Sequence, residues 1–242
     1  MKLCIAQTTA APGDVAINIA NHCRWIERAI EHHADLIIFP ELSLTGYEPT
    51  LAKTLATQPD DTRFNDLQAL SNRGTITIGV GMPIQAATGI TISMIVFQPE
   101  TPVENYAKQL LHVDENPYFV RGFGQLFLNV ANMTVAPAIC YEALQPWHTN
   151  TAKRGHADVY AASVAKSASG VAKAARLYPE IAKASSMIVA MANSTGHCDN
   201  FTSAGQSAIW NREGVLKGQL GKTDEGLLIY DTVTDVPAIP VA

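Results

Sequence analysis

Met133-Thr134-Val135-Ala136-Pro137-Ala138-Ile139-Cys140-Tyr141-Glu142 is an apolar run that ends on a cysteine. It predicts a buried strand over Met133–Ile139, with Leu126–Val130 before it and Ala131-Asn132 as the turn of a hairpin. A cysteine closing such a strand can hold its sulfur at the sheet edge, where ligands commonly bind. The next backbone N–H is then placed to face a substrate oxygen. A lone cysteine is more often a small buried hydrophobe, and Cys4 (inside a strand) and Cys23 (on an apolar helix face) fit that ordinary role.

Upstream, Leu3–Gln7 reads as a first strand. Val15–His33 follows as a helix, with Asp14 as N-cap and Ile19, Cys23, Ile26 and Ile30 on one face. Leu36–Phe39 is a short buried strand stopped by Pro40. A second helix is expected over Thr62–Asn72, ended by Gly74. Strands Thr75–Met82 and Ile90–Phe97 flank a turn at Ala86–Gly89, and Asn105–Leu111 is a further strand. Downstream of Cys140, Asp158–Val164 reads as a strand and Gly170–Ser186 as a helix with Pro179 as a kink point. Strands Met187–Ala192, Ser207–Trp210, Leu216–Leu220 and Leu227–Asp231 complete the chain, with Arg212-Glu213-Gly214 as a turn. Strands outnumber helices and the helices are separated by runs of strands, which fits an α/β sandwich with helices over one face of each sheet. No soft polar boundary interrupts residues 1–242, so one domain is expected.

Hydrophobic residues make up 47% of the 242 and charged residues 16%, enough for a well-buried core. The net charge of −5 offers no basic field for phosphate backbones, which argues against nucleic acid. Met1 to Gln7 lacks the apolar core of a signal peptide, and no apolar run approaches the roughly 20 residues of a membrane span. Cys4, Cys23, Cys140 and Cys198 lie far apart, which argues against a disulfide framework and a cysteine zinc site. A soluble cytoplasmic protein with reduced thiols is the expectation.

Two other residues have chemical potential. Glu41 follows directly on the apolar strand in Phe39-Pro40-Glu41-Leu42, where partial burial would raise its pKa and suit it to proton transfer. Lys108 sits among apolar residues in Asn105-Tyr106-Ala107-Lys108-Gln109-Leu110-Leu111, either reaching solvent or paired with an acid.

Together, Phe39-Pro40-Glu41-Leu42, Lys108 with Leu111-His112-Val113-Asp114-Glu115, and Ile139-Cys140-Tyr141-Glu142 resemble the three catalytic signatures of the nitrilase superfamily, in the family's order. The likeness extends to Met187–Asn193, similar to a late strand ending in Asn, and to Ser203-Ala204-Gly205-Gln206-Ser207 through Gly214. The chain departs from the pattern at Glu142, where many relatives carry Asp, and in a less compact lysine motif. Glu115, ahead of Gly122, resembles the family's second active-site glutamate.

The resemblance implies a four-layer αββα sandwich and a carbon–nitrogen hydrolase without metal or organic cofactor. Cys140 would be the nucleophile, Glu41 the general base, Lys108 the cationic partner and Glu115 a second glutamate that, like Glu41, could act as base toward water. An amide is the expected substrate, with nitriles and N-carbamoyl compounds as alternatives. Tyr47, Tyr141, Glu142 and Lys166 are the candidate substrate contacts. Lys166 or Arg176 could pair with a substrate carboxylate, although solvated surface charge is the commoner role for each. His197-Cys198-Asp199-Asn200 is a polar cluster suited to lining a pocket. Relatives commonly pair through helices, which implies a homodimer or higher even homo-oligomer. Two other readings stay open: a Cys–His hydrolase using His148 or His197, and a binding module that has lost activity.

Overall fold

The computed structural model describes residues 1–242. The first half runs β1 (Lys2–Gln7), α1 (Val15–Glu31), β2 (Leu36–Ile38), α2 (Ala52–Leu55), α3 (Asn65–Gly74), β3 (Thr77–Ala86), β4 (Gly89–Phe97) and β5 (Glu104–Ala107). The second half continues with β6 (Leu128–Val130), β7 (Met133–Ile139), α4 (Pro146–Arg154), β8 (Val159–Val164), α5 (Ala168–Ser185) and β9 (Ile188–Asn193). It closes with β10 (Thr195–Cys198), β11 (Phe201–Ala204), β12 (Ala208–Trp210), β13 (Leu216–Gln219), β14 (Gly226–Asp231) and β15 (Ile239–Val241). These strands form a sheet in the order β15-β14-β1-β2-β3-β4-β5, a second in the order β13-β12-β9-β8-β7-β6, and a separate β10–β11 hairpin.

The period of two along each strand explains the layering. In β1, Leu3 and Ile5 enter a core shared by both sheets, while Cys4 and Ala6 face Val15, Ile19 and Ile26 of α1. In β8, Val159 and Ala161 point into the same shared core, and Tyr160, Ala162 and Val164 pack with Ala174, Tyr178 and Ala182 of α5. Both central strands are therefore apolar on both faces, as in sheets covered on each side. The result is the expected four-layer αββα sandwich, with small alanines on the outer face of the second sheet letting α5 lie close. No helix is long and apolar enough to cross a membrane.

Local departures have local causes. The buried face of α1 includes Asn18 and His22 rather than Cys23, which is only half-buried. The second expected helix opens with a tight turn over Thr62–Phe64 and includes Gly74, and Thr75 takes a left-handed cap at φ 51°. β3 therefore starts at Thr77 and extends to Ala86, leaving a shorter turn before Gly89. α5 begins at Ala168, runs through Pro179, and ends on a left-handed Ser186. α4 and the β10–β11 hairpin carry no strong apolar period, so the sequence reading missed both.

Candidate active site

Cys140 ends β7 because the backbone leaves the ladder there: its N–H still donates to the Ser163 carbonyl of β8 at 3.0 Å, but its φ is +47°. A non-glycine residue held left-handed is uncommon, and such strain gathers at functional sites. The chain then turns through Glu142–Leu144, and the Tyr141 N–H finds no acceptor in the protein. It is thus free for a ligand atom.

Glu41 is held on the turn that follows β2. Phe39 N–H donates to Gly79 and Leu44 N–H to Gly81, each at 2.9 Å. Gly81 is required here, since a Cβ on it would lie 2.2 Å from the Leu42 nitrogen. The turn is also tied to α1 and to the second sheet. His22 Nε2 and Ser43 Oγ are hydrogen-bonded at 2.9 Å, Asn18 Nδ2 donates to the Leu44 carbonyl at 3.0 Å, and Ser163 Oγ donates to the Phe39 carbonyl at 2.8 Å. His22 and Asn18 thus position the loop, a role the sequence reading did not assign.

Lys108 lies just past β5, not within a strand as expected. Its N–H still pairs with the Ile92 carbonyl at 2.8 Å, but the next two N–H groups, of Gln109 and Leu110, donate to Glu142 Oε2 at 2.7 and 3.1 Å. Glu142 captures the donors that would have extended the ladder. Its other oxygen accepts from the Ile139 N–H at 2.9 Å and the Tyr106 hydroxyl at 2.7 Å. The Glu142 carboxylate is fully buried and does not line the cavity at Cys140, so the expectation of a substrate contact is corrected to an anchor between the Lys108 and Cys140 segments.

The Lys108 ammonium is wholly enclosed, with Nζ 2.7 Å from Glu41 Oε1 and 2.6 Å from Glu115 Oε1. Tyr47 donates to Glu115 Oε1 at 2.9 Å, and the His112 N–H donates to Glu115 Oε2 at 2.8 Å. Burial alone would push the ammonium down, but Glu41 and then Glu115 hold its pKa well above the ordinary value. Glu41 is pushed up by burial, against the pull of the Lys108 ammonium. Its buried Oε2 has no hydrogen-bond partner in the protein, and the Cys140 thiol donates instead to the Ala165 carbonyl at 3.7 Å. Burial, with Glu41 adding to it, raises the Cys140 thiol to about 11, and Lys166 and Lys108 oppose the rise. A thiol so placed stays protonated at neutral pH and requires a base to react.

A cavity of about 340 Å³ opens onto Cys140, lined among others by Tyr47, Tyr141, Glu115, Lys166 and Phe201. That volume suits a small molecule. Tyr47 and Phe201 meet edge to face at 5.6 Å and form its apolar wall. Lys166 follows β8, is 7% exposed, and places Nζ 3.7 Å from Cys140 Sγ. Arg176 is exposed and outside the cavity, while Lys173, not singled out from sequence, is on its wall. His197 and Cys198 line a separate hollow of about 10 Å³ beside Glu41 and Tyr47, while Asp199 and Asn200 form the hairpin turn. His148 is fully buried between tyrosines, its Nε2 2.7 Å from Tyr106 Oη and its Nδ1 2.6 Å from Tyr160 Oη. No group of His, Cys, Asp and Glu suited to a metal ion is present.

The family model for carbon-nitrogen hydrolase matches residues 2–236. No curated protein matches the sequence. Among solved structures, the NitN amidase of Nesterenkonia sp. AN1 superposes with a TM-score of 0.87 at 23% identity, covering 96% of this chain and 92% of that one. A cysteine-to-alanine variant of that amidase in complex with butyramide has the same TM-score and identity, with 97% and 92% coverage. A glutamate-to-glutamine variant, showing Michael addition of acrylamide at the active-site cysteine, also matches at 0.87 and 23%, covering 96% and 92%.

Proposed function

The chain belongs to the carbon–nitrogen hydrolase family, and from that premise we propose that it is an amidase acting on small carboxamides through a thioester on Cys140. One observation carries the reading: a fully buried ammonium shared by two carboxylates lies within electrostatic reach of a thiol that faces a small cavity. Glu41 takes the thiol proton as sulfur attacks the carbonyl carbon. The oxyanion is held by the Lys108 ammonium and the Tyr141 N–H, donors already fixed before the charge develops. Glu41 returns the proton to the departing nitrogen, and ammonia leaves. Water then attacks the thioester with Glu41 or Glu115 as base, releasing the acid and restoring the thiol. Tyr47 fixes Glu115 and contributes to the wall that receives the acyl chain.

An amide is favoured over a nitrile because structural neighbours are amidases, one of them seen with butyramide. A Cys–His mechanism is disfavoured because both ring nitrogens of His148 are taken by tyrosines and His197 lies outside the Cys140 cavity. The proposal includes a reduced compartment such as the cytoplasm, which four free cysteines suit, and a homodimer or higher even oligomer paired through α5. Light scattering at a monomer mass would rule out that assembly. The activity is tested by ammonia release from small amides, N-carbamoyl acids and nitriles, with Cys140→Ala and Glu41→Gln alongside. Release from amides that vanishes in both variants is expected. Release surviving in Cys140→Ala would overturn the proposal, and survival in Glu41→Gln would favour another base.

A further inference from the structure

Lys166 is a buried ammonium with no acid to meet it. No carboxylate lies within 4.0 Å of its Nζ, and its one side-chain hydrogen bond is to Cys140 Sγ at 3.7 Å. A buried cation without a counter-ion is costly, so such a group in a cavity awaits an anion. The other charges on the wall leave that demand unmet. Glu115 is committed to Lys108, Asp114 lies 2.5 Å from His112 Nδ1, and Lys173 adds a second positive charge.

The position of Lys166 is built, not incidental. Its N–H donates to Asn193 Oδ1 at 2.8 Å, and its carbonyl accepts from Ala204 N–H at 2.9 Å, Ser203 Oγ at 3.1 Å and Asn193 Nδ2 at 3.2 Å. Gly170, one turn into α5, leaves the space its stem occupies. A Cβ there would stand 3.2 Å from Lys166 Cβ and 3.5 Å from Cγ. Ser167, Gly170 and Lys173 line the same wall, so the N-terminal end of α5 faces the cavity beside the ammonium.

We propose that this site selects amides bearing a carboxylate, with Lys166 as the counter-ion that reads it. The inference rests on the amidase reading above and names its substrate class. With Nζ so near the sulfur and a charge-assisted N···O contact near 2.8 Å, the carboxylate falls roughly one to three methylenes from the scissile carbonyl. Monoamides of short dicarboxylic acids have that form. Hydrolysis of the amide gives the free diacid and ammonia, so a reaction that produces such monoamides lies upstream.

The test compares the monoamides of malonic, succinic and glutaric acid with apolar isosteres, such as isocaproamide for succinic monoamide, in wild type, Lys166→Met and Lys166→Arg. In wild type, kcat/KM for the best anionic amide should exceed that for its isostere on the order of 100-fold, as for a polar site left unpaired by the wrong ligand. Lys166→Met should abolish that preference, lowering kcat/KM far more for the anionic amide than for its isostere, which loses only the pull of the ammonium on the adjacent thiol, and Lys166→Arg should keep its sign. Equal losses on both substrates in Lys166→Met would show that Lys166 acts on the thiol and would overturn the proposal, as would a wild-type preference for the isostere. A second readout needs no hydrolysis: alkylation of Cys140 by iodoacetate against iodoacetamide. Any change in thiol acidity affects both reagents and cancels in the ratio. Wild type should favour iodoacetate, and Lys166→Met should lower the ratio at least ten-fold. That result without amide turnover would support the anion site while overturning the amidase reading; an unchanged ratio would overturn the anion site itself.

Discussion

Two lysines approach Cys140 in opposite electrostatic states. Lys108 is sealed from solvent and shared between Glu41 and Glu115, whereas Lys166 is almost as deeply buried and has no carboxylate partner. The first is part of the folded structure's own charge balance. The second leaves a charge for something else to balance. A buried cation that is fully paired serves the protein's internal machinery, and one left bare at a cavity wall is available to a ligand.

The largest expected effect breaks the paired side. Lys108→Met leaves Glu41 and Glu115 facing each other without a cation, which should cost about 3–5 kcal/mol of stability and abolish measurable turnover. Lys166→Met, at similar depth, should change stability by less than about 1 kcal/mol, because no partner is stranded. Urea unfolding of the two variants measures the contrast directly, and equal losses would erase it.

His148 tests whether proximity to an acid is enough. It lies 3.6 Å from Glu142 Oε1, yet the Tyr106 hydroxyl stands between them, and burial holds its pKa down to about 4. Tyr106 gives its one proton to Glu142, so Nε2 carries a hydrogen and Nδ1 accepts from Tyr160. The unfolded chain binds a proton at this imidazole near pH 6.5 and the folded one only near 4. Unfolding therefore takes up a proton in that window, and stability should fall as pH drops from 6.5 to 4, by on the order of 3 kcal/mol. His22, also held near 4 by burial, adds in the same direction. His148→Gln should remove its share of the slope; an unchanged slope would show that the ring is not buried neutral.

A smaller effect is expected at Glu142, which ties the Lys108 and Cys140 segments together. Glu142→Gln keeps the shape but can accept at only one oxygen, so the bonds to Gln109 and Leu110 or to Ile139 must weaken. A fall of roughly 10–100-fold in kcat with little change in KM is expected, since misplacement by a fraction of an ångström suffices. A rise in KM alone would mean that Glu142 touches substrate after all. The least effect is expected from Gly170→Ala. Stability should move by less than about 1 kcal/mol, helix propensity offsetting the tighter contact. The preference for anionic amides should shift a few-fold as the Lys166 stem is displaced, and an unmoved preference would show that Gly170 does not set its position.

The sequence made the strongly apolar parts legible. The near-continuous apolar runs of β7, β8 and β9 and the one before Glu41 led to both sheets and to the residues that now meet. What escaped depended on long-range capture. Lys108 left its strand because Glu142, distant in sequence, takes the next two N–H groups. His22 and Asn18 carry no local signal of their role, since Ser43 and the Leu44 carbonyl, which they bind, lie on another loop. Lys166 resembled ordinary surface charge, because nothing in Val164-Ala165-Lys166-Ser167 signals burial, and Lys173 carried no signal at all.

The most direct test is intact-protein mass measured after rapid acid quench during turnover of a small amide. An added acyl group, mapped to the peptide containing residue 140 and cleared by hydroxylamine, is the expected result. Steady ammonia release with no adduct at that thiol, or with the acyl group on Cys198 instead, would contradict nucleophilic attack by Cys140.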